Sequence, residues 1–77
     1  MSILSWIFGN PTSHPGVYRI RNTITGREYI GGTSRPIRTR WRQHKNNLKC
    51  NRHMNRLLQQ DWNTYGADAF EFSVIEV

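Results

Sequence analysis

Seventy-seven residues make one domain, and a chain this short buries only about 60% of its extended surface on folding, so no separate regulatory module fits. The lone cysteine, Cys50, cannot form an internal disulfide, which excludes a bridge-stapled secreted scaffold and favours an intracellular or particle-enclosed setting. Eleven Lys and Arg against five Asp and Glu give a formal charge of +6, and nine of the eleven cations are arginine, whose planar fork matches phosphate, so a polyanionic partner is expected.

The opening run 1–8 is apolar but lacks a basic start and a small-residue cleavage site, so it does not read as a secretory signal. Nor does any stretch reach the roughly 18 apolar residues of a membrane span. Turn formers from Gly9 to Gly16 set this run apart, giving 1–15 as an apolar N-terminal arm with a turn-rich linker and 16–77 as the folded module.

Val17–Arg21 and Arg27–Ile30 are short β-branched and aromatic runs, and the intervening Asn22-Thr23-Ile24-Thr25-Gly26 supplies hairpin-turn chemistry. Pairing Asn22 with Arg27 sets Ile20 opposite Tyr29 and Tyr18 opposite Gly31, which makes Tyr18 and Tyr29 diagonal neighbours on one face. Pro36 suits the first turn of a helix, predicted from about Pro36 to Leu48 with Ser34 or a neighbour as its N-cap. Ile37, Trp41 and Leu48 form its apolar stripe, and Arg40 and His44, one turn apart, share a flank of it. Arg38, Arg42, Lys45 and Lys49 fall within about 60° of arc on another side, a basic stripe extended by Arg35 and Arg52.

A second helix is predicted from His53 to Tyr65, stopped by Gly66. It sets Met54, Leu57, Leu58, Trp62 and Tyr65 inward and Arg56, Gln59, Gln60 and Asn63 outward. From Phe70 to Val77 the alternation of Phe70, Phe72 and Val74 predicts a third strand pairing with the hairpin. The result is an α/β module of order β-β-α-α-β, with a three-stranded, mostly antiparallel sheet and two helices.

Gly16-Val17-Tyr18, ten intervening residues, Tyr29-Ile30-Gly31, and then Arg40 and His44 four apart resemble the GIY-YIG nuclease superfamily, with valine for isoleucine at 17. The resemblance runs from about Gly16 to Val77 and includes Asn63-Thr64-Tyr65-Gly66 and Phe70-Glu71-Phe72. It implies Tyr18 as general base or water-orienting group, with Tyr29 supporting it at the same phosphate. It further implies Arg40 as a phosphate clamp, His44 as its partner and His53 as an additional histidine. Hydrolysis of a phosphodiester needs an activated water and stabilisation of charge on phosphorus, and in this family a divalent cation, Mg²⁺ or Mn²⁺, assists. The family holds that cation with a glutamate on a helix after the third strand. Glu71 and Glu76 lie on the strand itself, so neither inherits the role and no metal ligand is assigned.

Arg35, Arg38, Arg42, Lys45, Lys49 and Arg52 are the candidate nucleic-acid contacts, with DNA ahead of RNA as the substrate. Gly31-Gly32 lacks P-loop spacing, and His14, His44, Cys50 and His53 match no zinc-finger spacing. Two functions stay open: a DNA endonuclease, or a catalytically inactive member serving as a nucleic-acid-binding or structural subunit of a phage or mobile-element assembly. The first is complete if a partner subunit or a longer parent chain supplies the carboxylate. Either function suits a bacterial or phage-infected cytoplasm or a virion. Ile3, Leu4, Trp6, Ile7 and Phe8 are expected to cover an apolar sheet face, or to dock a partner or second copy.

Overall fold

Asn22 closes the hairpin twice over. Its amide donates to the Arg27 carbonyl at 2.8 Å, and its Oδ1 accepts from the amides of Ile24 at 2.9 Å and Thr25 at 3.2 Å, an Asx-type turn that fixes the register of the strands on either side. Those strands, β1 (Gly16–Asn22) and β2 (Glu28–Thr33), pair antiparallel with Tyr18 opposite Gly31 and Ile20 opposite Tyr29, as the turn predicts. The computed structural model describes residues 10–77, so the apolar side chains Ile3, Leu4, Trp6, Ile7 and Phe8 lie outside the described residues.

Two helices follow, α1 (Ile37–Lys49) and α2 (Arg56–Tyr65), and then β3 (Phe70–Glu76), which pairs antiparallel with the other edge of β1 to give the sheet order β2-β1-β3. The ladder shifts between Val17 and Tyr18, where the partners step from Glu76 to Val74 and leave Ile75 over. Gly16 makes that crossing possible, because a Cβ there would lie 2.1 Å from the Glu76 carbonyl oxygen.

Both helices lie on the sheet face carrying Tyr18 and Ile20, which close a core with Ile37 and Leu48 of α1 and Leu58 of α2. Each buried aliphatic side chain there contributes roughly 1.5–3 kcal/mol. Trp41 joins the helix to the sheet, edge-on to Phe72 at 5.6 Å and to Tyr18 at 6.4 Å between ring centroids. No described helix is long and apolar enough to cross a membrane.

Three expectations are corrected. Pro36, not Ser34, occupies the N-cap position of α1, with no side-chain cap. The orphan Ile37 amide is satisfied instead by the His14 carbonyl at 3.1 Å, which ties the turn segment before β1 to the head of α1. The second helix starts at Arg56 rather than His53, because Asn55 caps it by accepting from the amides of Leu57 and Leu58. Its inward face also differs: Met54 is 95% exposed and Leu57 and Tyr65 are exposed, whereas Gln59 and Asp61 are buried.

Candidate active site

β1 and β2 present Tyr18 and Tyr29 on the face that α1 covers, and α1 adds Arg40 and His44. His53 arrives from the segment before α2, and the five side chains line one hollow of about 290 Å³, floored by Ile20 and Leu58. Gly31 sets the depth of this hollow. A Cβ at that position would lie 2.6 Å from both Cζ and Oη of Tyr18, so any larger residue there displaces the phenol.

The hydroxyl of Tyr18 lies 2.6 Å from His44 Nε2, and His44 Nδ1 lies 2.6 Å from His53 Nε2. The two imidazoles have centroids 4.9 Å apart at an interplanar angle of 18°; combined with the short N···N contact, this is edge-to-edge alignment rather than face stacking. The proton positions follow from the far end of the chain. The Asn55 backbone N–H donates to His53 Nδ1 at 3.0 Å, so that nitrogen carries no proton. Neutral His53 therefore holds its proton on Nε2 and donates to His44 Nδ1, and neutral His44 in turn donates from Nε2 to the Tyr18 oxygen. Tyr18 accepts, and its own O–H is turned away from His44.

Electrostatics agree with neutral imidazoles. Burial lowers His44 to about 4, and the Arg40 cation and His53 push it the same way. His53 is lowered as well, chiefly by burial. Burial raises Tyr18, while the charge of Arg40 pulls it back down. Arg40 thus acts on all three members of the chain, while its Nη1 donates to Gln43 Oε1 at 3.1 Å.

Tyr29 lines the same hollow, but its hydroxyl is directed elsewhere: it donates to Asp61 Oδ2 at 2.7 Å. Asp61, 7% exposed, also meets Arg27 Nη1 at 3.3 Å. The two phenols share a wall without converging on one hydroxyl position. Asp61→Ala is expected to destabilise the fold by about 1–3 kcal/mol, because it strands the Tyr29 hydroxyl; Asp61→Asn, which keeps an acceptor, should cost less. Urea denaturation of both variants checks this.

Arg35, Arg38, Arg42, Lys45, Lys49 and Arg52 are all exposed. None of these six lines the hollow. Lys45 Nζ sits 4.7 Å from the centroid of the Phe72 ring, and Arg52 Nε donates to Asn47 Oδ1 at 3.4 Å. Sequence reasoning did not single out Asp61, Asn55 or Gln59. Of these, only Asn55 carried a local signal, as a favoured N-cap residue ahead of an apolar run.

The family model of the GIY-YIG catalytic domain matches residues 14–77. Intron-associated endonuclease 1 of Enterobacteria phage T4 is 33% identical over 61 residues, 79% of this chain and 24% of that protein, so the chain spans about a quarter of that relative's length. Among solved structures, the catalytic domain of homing endonuclease I-TevI superposes with a TM-score of 0.76 at 30% identity, covering 82% of this chain and 66% of that one. A glutamate-to-alanine variant of the same catalytic domain gives 0.73 at 31% identity, covering 82% and 64%.

Proposed function

Because this chain belongs to the GIY-YIG catalytic domain family, we propose that it hydrolyses phosphodiester bonds of DNA, with the scissile phosphate in the hollow bounded by Tyr18, Arg40, His44 and His53. The observation that carries this reading is the ordered chain of donors from the Asn55 amide through His53 and His44 to the Tyr18 oxygen. It ends on a hydroxyl that opens onto the hollow beside a guanidinium.

Each residue then has a task set by its geometry. Arg40 offers planar N–H donors to the non-bridging phosphate oxygens and offsets the charge that builds as water adds to phosphorus and the P–O bond breaks. Tyr18 positions the attacking water and takes its proton. It does so as a phenolate, its own proton having passed to solvent. The His44 Nε2–H and the Arg40 cation hold that charge and offset its burial, and taking the water's proton returns it to the neutral phenol while the departing oxygen is protonated from solvent. Tyr29, fixed by Asp61, shapes the wall.

Mg²⁺ or Mn²⁺ belongs to the proposal, yet the hollow is a poor seat for a hard cation. No carboxylate lines it, Asp61 is committed to Tyr29 and Arg27, and the described residues contain no group of three or more His, Cys, Asp or Glu able to hold a metal. No step above runs through the cation. The same shortage favours the second reading, a family member that binds nucleic acid without cutting it.

Incubating supercoiled and single-stranded DNA with the chain, with and without Mg²⁺ or Mn²⁺ and with Arg40→Ala as control, separates the two. Cleavage by the wild type that is lost in Arg40→Ala supports the nuclease; salt-sensitive binding without cleavage supports the binding subunit. In either case the α1 stripe is expected to track the backbone. Arg38→Ala with Arg42→Ala should flatten the slope of log K against log [salt] by about two units, measured by fluorescence anisotropy.

A further inference from the structure

A second groove, of about 420 Å³, runs beside the hollow between the loop after α1 and the outer side of α2, and His53 and Met54 line both. Its floor is a cascade of side-chain amides whose orientation is fixed by two backbone groups. The His53 N–H donates to Gln59 Oε1 at 3.0 Å, and Gln59 Nε2 donates to the Leu48 carbonyl at 3.0 Å, so the Gln59 amide can sit only one way round. Gln59 Nε2 also donates to Asn63 Oδ1 at 3.0 Å, which forces Asn63 Nδ2 to donate to Asn51 Oδ1, again at 3.0 Å.

Each of these three carbonyl oxygens is thereby used inside the protein. What the cascade leaves available to donate is the Asn51 Nδ2 group, and Arg52 and Arg56 line the same groove. No carboxylate lines the groove, and Gln60 is the one lining amide outside the cascade. Asn51 itself is held at φ 56, left-handed backbone that a non-glycine residue adopts at a cost. A surface of N–H donors and two positive charges selects a ligand that is anionic and rich in acceptors.

We propose that this groove is a backbone subsite for the substrate strand, in which Asn51, Arg52 and Arg56 hold a phosphate flanking the one in the hollow; the proposal rests on the nucleic-acid reading above. Continuity through His53 and Met54 lets one strand occupy both depressions. Arg52, at the end of the α1 stripe, joins the subsite to that stripe, and Arg56 anchors the strand from the α2 side, so the scissile phosphate is gripped between two points rather than hung from one.

The test is the salt dependence of binding of a short DNA duplex by the 77-residue chain, comparing wild type with Arg56→Gln, Asn51→Gly and Arg21→Gln. Glycine at 51 tolerates the left-handed backbone, so it removes the amide while sparing the turn. Arg21 projects from the sheet face opposite Ile20 and Asn22, so Arg21→Gln removes the same charge away from the groove.

Arg56→Gln is expected to reduce the salt slope by about one unit and weaken binding several-fold, and Asn51→Gly to weaken binding with the slope kept. Arg21→Gln should change neither. Wild-type slope and affinity in both groove variants, or an equal loss in Arg21→Gln, overturns the subsite and leaves the nucleic-acid reading standing. Absence of salt-dependent binding by the wild type overturns that reading and the subsite with it.

Discussion

Tyr18→Phe is expected to slow DNA cleavage by about 10²–10⁴-fold, the range for a lost proton-transfer group, while affinity for DNA stays within about twofold. The substitution removes one atom, the oxygen at which the His53–His44 donor chain ends. The ring stays in the core against Trp41, so the hollow keeps its shape. His44 Nε2–H is left without its acceptor at a buried position, and about 1–3 kcal/mol of stability goes with it, so cleavage is compared at a temperature where both proteins are folded. Nicking of supercoiled plasmid, alongside anisotropy titrations of the same DNA, reads both quantities. A Tyr18→Phe protein that cuts at the wild-type rate places the chemistry on another group.

What could be read from the sequence divides along the range of the interactions. The hairpin register was legible because Asn22 and Gly26 fix it locally, and the register alone put Tyr18 and Tyr29 on the covered face. The stripe of Ile37, Trp41 and Leu48 was legible because α1 has a single apolar side, on which His44 is buried. The face of α2 was not, because two of its buried residues are polar and owe their burial to distant partners. Asp61 is buried against Tyr29, 32 residues earlier, and Gln59 against the Leu48 carbonyl. Periodicity counts apolar side chains and assigns such residues to solvent, so it turned Leu57 inward and Gln59 outward.

The site shows the same division. Resemblance to a family named Tyr18, Tyr29, Arg40, His44 and His53, and the structure gathers all five around one hollow. It did not give the direction of the hydrogen bonds between them. That direction depends on the Asn55 backbone amide, which reaches His53 only because α2 begins three residues later than its apolar pattern suggests. If His53 were the first residue of a helix, Asn55 would not cap α2 and its amide would lie in the first helical turn. The cap that starts α2 and the tautomer that orders the site are set by the same short segment.

That coupling makes acid the sharpest probe of the site. Lowering the pH from about 7 to about 4 is expected to remove roughly 3 kcal/mol of stability through His44 alone. The folded-state value is about 4 against an ordinary 6.5, so His44 stays neutral in the fold while the unfolded chain takes up a proton. A depressed histidine contributes its stability fully above the unfolded value and loses it as the pH falls toward the folded one. The loss therefore falls between about pH 6.5 and pH 4, and His53, lowered in the same direction, adds to it. Urea denaturation at several pH values, with His44→Gln alongside, measures the effect. The variant should be less stable near neutrality but show a shallower decline, and equal declines in the two proteins would remove His44 as the cause. Cleavage should fail as the pH falls below the ordinary histidine range and His53, itself lowered by burial, takes up a second proton. A doubly protonated His53 presents N–H at Nδ1 to the Asn55 N–H, a donor facing a donor, and the chain that aligns the Tyr18 oxygen breaks at its first link.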